Sequence, residues 1–167
     1  MIAEEMIDLV NEQDQVIATK PRSEVIEKKL TNFRLVCVFI VRHDGRVLVP
    51  RRAPTKKLYP NALGLIGGFV QSGETYDQAF RREVFEETEL DIDTTHYICL
   101  GTANPWRNNT MGFVCAYQIN TKNKISFISP EFSELLWLTP QEIRQKIDDG
   151  EKVTKNLPIL LSLFYKK

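Results

Sequence analysis

No stretch of this sequence stays apolar long enough to cross a membrane as a helix. The longest apolar run, Leu35 to Val41, has the length of a buried strand. The start, Met1 to Asp8, has no basic segment followed by an apolar core, so no secretory leader is expected. Cysteine is sparse. Cys37, Cys99 and Cys115 are odd in number, have no metal-type spacing and lie in apolar strand-like runs. That excludes a disulfide framework and predicts reduced, packed thiols in a cytoplasmic protein. Only two histidines occur, and neither His43 nor His96 has a neighbour that suggests a ligand or a base. An excess of charge of either sign is also missing: 22 Lys and Arg balance 22 Asp and Glu. Without a global basic field, binding to duplex nucleic acid is not expected. Repeats, low-complexity tracts and linkers are absent as well.

What is present is the pattern of one layered α/β domain spanning residues 1–167. Hydrophobic residues make up 43% and charged residues 26%, ordinary for a globular chain long enough to bury a core. Met6 to Val10 and Gln15 to Thr19 read as a hairpin, and Pro21 to Leu30 as a short helix, giving an extension over 1–32. A core over 33–147 begins with the apolar strand Phe33 to Arg42. His43-Asp44-Gly45 is a turn signal, and Arg46 to Pro50 is the paired strand. Arg51 to Asn61 reads as a loop with four basic residues. Thr75 to Thr88 has helical spacing, with apolar Ala79, Phe80 and Val84. His96 to Thr102 and Met111 to Ile119 read as strands joined by a polar loop. Ile125 to Ile128 and Leu135 to Leu138 read as further short strands, and Pro140 to Ile147 as a helix. After Gly150, the segment 148–167 carries a last helix, Leu157 to Tyr165.

The most informative stretch is Gly68 to Leu90. On its helix, Glu83, Glu86 and Glu87 are spaced to share one face. Three like charges there repel, and Arg82, four residues before Glu86, relieves only part of this. A hard divalent cation such as Mg²⁺ or Mn²⁺, which prefers oxygen ligands and substrate phosphates, would neutralise the rest. Gly67, Gly68 and Gly73 allow tight turns and close approach of the backbone to a ligand. A metal-dependent reaction on a phosphate substrate is the chemistry this pattern suggests.

The segment resembles the Nudix box, the signature of the Nudix hydrolases. Gly68, Glu74, Arg82, Glu83, Val84, Glu86, Glu87 and Leu90 all match it in register. The second glycine of the box is replaced by Glu89. That glycine normally caps the helix in a left-handed conformation, so Glu89 should cost about 1 kcal/mol or force another cap. Upstream, Pro60 to Gly68 resembles the family's strand entering the box, with Leu63 and Ile66 where Trp and Pro are frequent. Downstream, Glu134 to Pro140 resembles its late strand leading into a helix.

The resemblance implies a Nudix-type α/β/α sandwich around a mixed β-sheet. It implies a Mg²⁺-dependent (or Mn²⁺-dependent) hydrolase cleaving a pyrophosphate bond in a nucleoside diphosphate linked to another group, with a small phosphate-containing molecule as partner and a homodimer allowed by family habit. Glu83, Glu86 and Glu87 would hold metal, helped by the carbonyl of Gly68, and Glu83 is also a candidate to orient or deprotonate water. Arg82 would fix the carboxylates, and Glu74 would support the loop. A further acid outside the box is either Glu131 or Glu134, unless both are ordinary surface residues. Arg51 and Arg52 are candidates to meet phosphates, or belong to a solvated basic loop. Trp106, beside Arg107, stacks on a base or packs against the core. Two other readings compete. The N-terminal hairpin and helix resemble the subgroup related to isopentenyl-diphosphate isomerase, which uses a loop cysteine and a histidine-bound metal. Here the cysteines are strand residues, and Phe33 to Val41 contains no histidine. A non-catalytic nucleotide-binding module is the third reading, although a mere binder has no need of all these carboxylates.

Overall fold

The fold is taken from a computed structural model that describes residues 4–122, 125 and 129–166. Strand β1 (Met6–Val10) pairs antiparallel with β2 (Val16–Pro21) as a separate two-stranded sheet. Helix α1 (Arg22–Glu27) follows. It is shorter than the expected Pro21 to Leu30. Lys29 adopts a left-handed φ of 51°, and the Leu30 amide turns back to the Val25 carbonyl, which ends the helix.

The main sheet contains β3 (Arg34–Arg42), β4 (Val47–Arg52), β5 (Tyr97–Ala103), β6 (Phe113–Thr121) and β7 (Phe132–Leu138). Its order is β5-β6-β3-β4-β7, with β3 and β6 parallel and the other neighbours antiparallel. This is the mixed sheet expected. Arg51 and Arg52 are its residues rather than the loop's, because β4 continues two residues past Pro50 to pair with β7. The segment entering the acidic helix does not form the continuous strand anticipated. Leu63, Ile66 and Phe69 make isolated bridges to Arg51, Val38 and Leu35. Glycines at 64, 67 and 68 interrupt that run, and Gly67 has a φ of 129° that breaks regular pairing.

Alternation along β3 builds both sides of the core. Val36, Val38 and Ile40 face one layer with Ala79, Phe80 and Val84 of α2 (Tyr76–Thr88). Leu35 and Phe39 face the other layer, with Ile143 of α4 (Pro140–Asp148) and Leu157, Leu160 and Leu161 of α5 (Asn156–Phe164). The result is helix, sheet, helix. Each large buried apolar side chain contributes about 1.5–3 kcal/mol. Ile7 and Leu9 of β1 and Val25 of α1 join the second layer, so the N-terminal extension packs onto the sheet.

Capping boxes set the starts of α2 and α4. Thr75 exchanges hydrogen bonds with Gln78, and Thr139 with Glu142. At the end of α2, Glu89 does take the left-handed conformation, with φ 57° and its amide bonded to the Phe85 carbonyl. The polar loop expected over Asn104 to Thr110 contains one helical turn, α3 (Pro105–Asn108), which Asn104 caps through the Arg107 amide. The strand expected over Ile125 to Ile128 lies mostly outside the described residues; Ile125 itself is described and buried. Not every thiol is packed as expected. Cys115 is buried and Cys37 half-buried, but Cys99 is exposed because β5 is an edge strand. The sulfurs of Cys99 and Cys115 stand 3.6 Å apart as free thiols. Among the described residues, no helix is long and apolar enough to cross a membrane.

Candidate active site

Two glycines bring backbone and carboxylates together. A Cβ on Gly67 would lie 2.1 Å from the Val36 carbonyl oxygen, so only glycine fits there. Its amide is thereby free to donate to Glu87 Oε2 at 2.8 Å. A Cβ on Gly68 would meet Glu83 Oε1 at 2.5 Å. The Gly68 carbonyl accepts from the Val36 amide at 3.0 Å, leaving one lone pair for another partner.

Helical spacing sets the acids side by side, but burial separates their environments. Glu87 is buried behind the Gly67 turn, Glu83 is mostly buried at the cavity wall, and Glu86 is exposed at its edge. Arg82 is the clasp. It holds Glu74 through two hydrogen bonds of 2.8 and 2.9 Å, reaches Glu83 at 2.7 Å and Glu86 at 3.4 Å, and donates to the Phe69 carbonyl. Burial alone would raise Glu74. The Arg82 bonds and the Gln71 amide outweigh it and hold the carboxyl below its usual range. Glu83 goes the other way. Burial, with the charges of Glu86 and Glu131, outweighs Arg82 and pushes it up to about 7. Burial, with the charges of Glu83 and Glu131, pushes Glu87 well above the ordinary value, against the Gly67 amide and the charge of Arg52.

A cavity of about 140 Å³ opens beside Gly67 and Gly68. Its charged lining is mixed: Glu5, Glu83, Glu86 and Glu131 are acidic, Arg22, Arg52 and Lys155 are basic, and Arg52 lies within the fields of Glu131 and Glu87. Glu131 is held by Lys56 at 2.6 Å. Arg52 is half-buried and donates its Nε to the Leu58 carbonyl at 3.0 Å. Among the described residues no carboxylate pairs with it, and burial lowers its pKa.

Other expected site residues are elsewhere. Arg51 does not border the cavity, because neighbours on a strand face opposite ways. It pairs instead with Glu134 and Glu151, each at 2.9 Å. Glu134 is therefore engaged away from the other acids. Trp106 is exposed, packs edge-on against Phe113 at 5.0 Å and does not line the cavity. Arg107 is an exposed residue of α3, also outside it. Arg22, which the sequence did not single out, does line it. Its approach depends on how the extension packs, and no local pattern encodes that.

Among the described residues, no three His, Cys, Asp or Glu groups already converge as a metal cage. Mg²⁺ needs no such cage, since it binds through one or two carboxylates plus water and substrate phosphates. The donors are all oxygen, and two of the carboxyls are buried with too little positive charge nearby. The residues present fit a hard divalent cation.

Comparisons with known proteins bear on the family and the fold. The family model for the NUDIX domain matches residues 31–157. An uncharacterized Nudix hydrolase, all7351 of Nostoc sp. strain PCC 7120, is 36% identical over 162 residues, covering 96% of each chain. A Nudix hydrolase of Deinococcus radiodurans is 35% identical over 167 residues, covering 99% of this chain and 97% of the relative. The crystal structure of DR0079 from Deinococcus radiodurans matches with a TM-score of 0.91 at 36% identity, covering 97% of this chain and 100% of that one.

Proposed function

The chain belongs to the Nudix hydrolase family, whose members act on phosphoric anhydride bonds, and on that premise we propose that it is a Mg²⁺-dependent hydrolase of a nucleoside diphosphate linked to another group. The observation that carries this reading is the buried carboxyl pair Glu83 and Glu87, whose charged forms burial disfavours, beside a cavity that Arg52 also lines. Glu83, Glu86 and Glu87 hold the metal, with Gly68 lending its carbonyl. A cation held there would supply neutralisation of the diphosphate charge and acidification of a water.

The rest belongs to the chain's own groups. Arg82 fixes the rotamers of Glu83 and Glu74, so the carboxylates do not swing apart. Glu83, on the cavity wall, is placed to orient or deprotonate water. Arg52 meets the phosphate oxygens with a guanidinium that no carboxylate satisfies among the described residues. Glu131 is the further acid bordering the same space. The free thiols suit a reducing compartment, the cytoplasm.

The test is turnover of the purified protein on a panel of nucleoside diphosphate conjugates, with Mg²⁺ and with chelator. Phosphate or nucleoside monophosphate should be released only with metal. Glu86→Gln and Glu87→Gln should each lower turnover by about 10² or more while the fold survives. Full activity in both folded variants would falsify the metal assignment.

A further inference from the structure

We propose that Arg22, carried by the N-terminal extension, joins Arg52 in an anion clamp that grips the substrate phosphate farther from Glu83 and Glu86. This rests on the hydrolase reading for which molecule supplies the phosphate, but the clamp is a property of the arginines themselves. Arg22 and Arg52 both line the cavity at the acids, and both line a neighbouring cavity of about 380 Å³. They stand at the partition between the two spaces.

Arg22 is oriented before any ligand arrives. Its Nη1 donates to Glu5 Oε2 at 2.6 Å, and its guanidinium lies 4.7 Å from the centroid of the Phe69 ring. Among the described residues, the remaining N–H groups of that side chain have no partner. The Nη groups of Arg52 likewise have none. The two cations repel each other; among the described residues Glu5 is the carboxylate that ion-pairs with one of them, while Glu131 and Glu87 act on Arg52 only through their fields. An anion between them relieves that repulsion and satisfies planar forks suited to two-point contact with phosphate oxygens. Lys57 of the neighbouring cavity adds to the same field.

Glu83 and Glu86, with Glu131, make the part of the main cavity at the acidic helix repel bare phosphate. A substrate with two linked phosphates therefore has one favoured direction. One phosphate reaches the acids only with a cation, and the other rests on the arginines. The extension, which lies outside the box, thus supplies one side of the site and selects for diphosphates over monophosphates.

The clamp is measurable without metal or turnover. The full chain is titrated calorimetrically with inorganic pyrophosphate in chelator. The wild type should bind, and Arg22→Gln and Arg52→Gln should each weaken binding about ten-fold, the loss of one charge-assisted contact. Glu5→Gln removes the internal anion that competes for Arg22, so it should tighten binding roughly three-fold. A gain of affinity cannot come from misfolding. No binding by the wild type, or unchanged affinity in Glu5→Gln or in folded Arg22→Gln, overturns the proposal. Where a hydrolysed substrate is in hand, Arg22→Gln should raise KM about ten-fold and leave kcat within about two-fold. Metal-dependent hydrolysis with an unmoved KM in that variant removes the clamp and keeps the hydrolase. Clamp-dependent pyrophosphate binding with no hydrolysis of any conjugate does the reverse.

Discussion

Replacing Glu83 with Gln should stabilise the metal-free protein at neutral and alkaline pH. Burial lifts this carboxyl from 4.5 to about 7, and its side chain is only 13% exposed. At about 1.4 kcal/mol per pH unit, ionised Glu83 costs the folded state about 3 kcal/mol. The sign follows from proton binding. Between those two values the folded chain keeps a proton that the unfolded chain has lost. The contribution of Glu83 to stability is therefore fully present below about pH 4.5, falls as pH rises towards 7, and levels off above it. Glu87, raised by the same burial, adds a slope of the same sign. Carboxyls held low, such as Glu74 and Glu151, contribute stability that is already complete above about pH 5. The interval from about pH 5 to 8 thus isolates the raised pair. Gln weakens the 2.7 Å contact to Arg82, which keeps both bonds to Glu74. That trims the gain to about 2 kcal/mol, or a rise in Tm of about 4–8 °C for a chain of this size. The assay is thermal unfolding in chelator across that pH series. The wild type should lose stability as pH rises, and Glu83→Gln should be flatter and the more stable of the two at pH 8. Equal stability at pH 8, or a flat wild-type profile, refutes the idea of buried, undercompensated charge.

Glu89→Gly should stabilise the chain by about 1 kcal/mol, because a left-handed φ of 57° costs a side-chain-bearing residue and not glycine; urea unfolding reads this, and turnover should not change. Gly68→Ala should push Glu83 off its position, since the new Cβ would sit 2.5 Å from Oε1; turnover with Mg²⁺ should fall at least about ten-fold while circular dichroism stays native, and wild-type rates would count against the site. Glu131→Gln should lower turnover about ten-fold, whereas Glu134→Gln, whose carboxyl serves Arg51, should stay within about two-fold. Equal effects from these two would remove the distinction between the acids.

Much of the fold was legible in order along the chain. The unbroken apolar run Leu35 to Val41 announced a buried strand, and β3 feeds both core layers. Helical spacing of Ala79, Phe80 and Val84 announced α2, whose capping box of Thr75 and Gln78 the structure added. The alternatives stayed open where distant contacts decide. Arg51 and Arg52 look alike in sequence, but strand alternation sends one to Glu134 and Glu151 and the other to the cavity. Trp106 packs on Phe113 outside the cavity because its loop folds into a helical turn at the β5–β6 end.

The sequence by itself determined that three acids share a helix face beside flexible glycines, because helical periodicity and the absence of Cβ atoms are local properties. Only the tertiary structure decided which acid is buried, which arginine shares their cavity and that Arg22 arrives from the extension. Burial and opposition of charge depend on segments far apart in the chain, and their meeting is set by how whole layers pack.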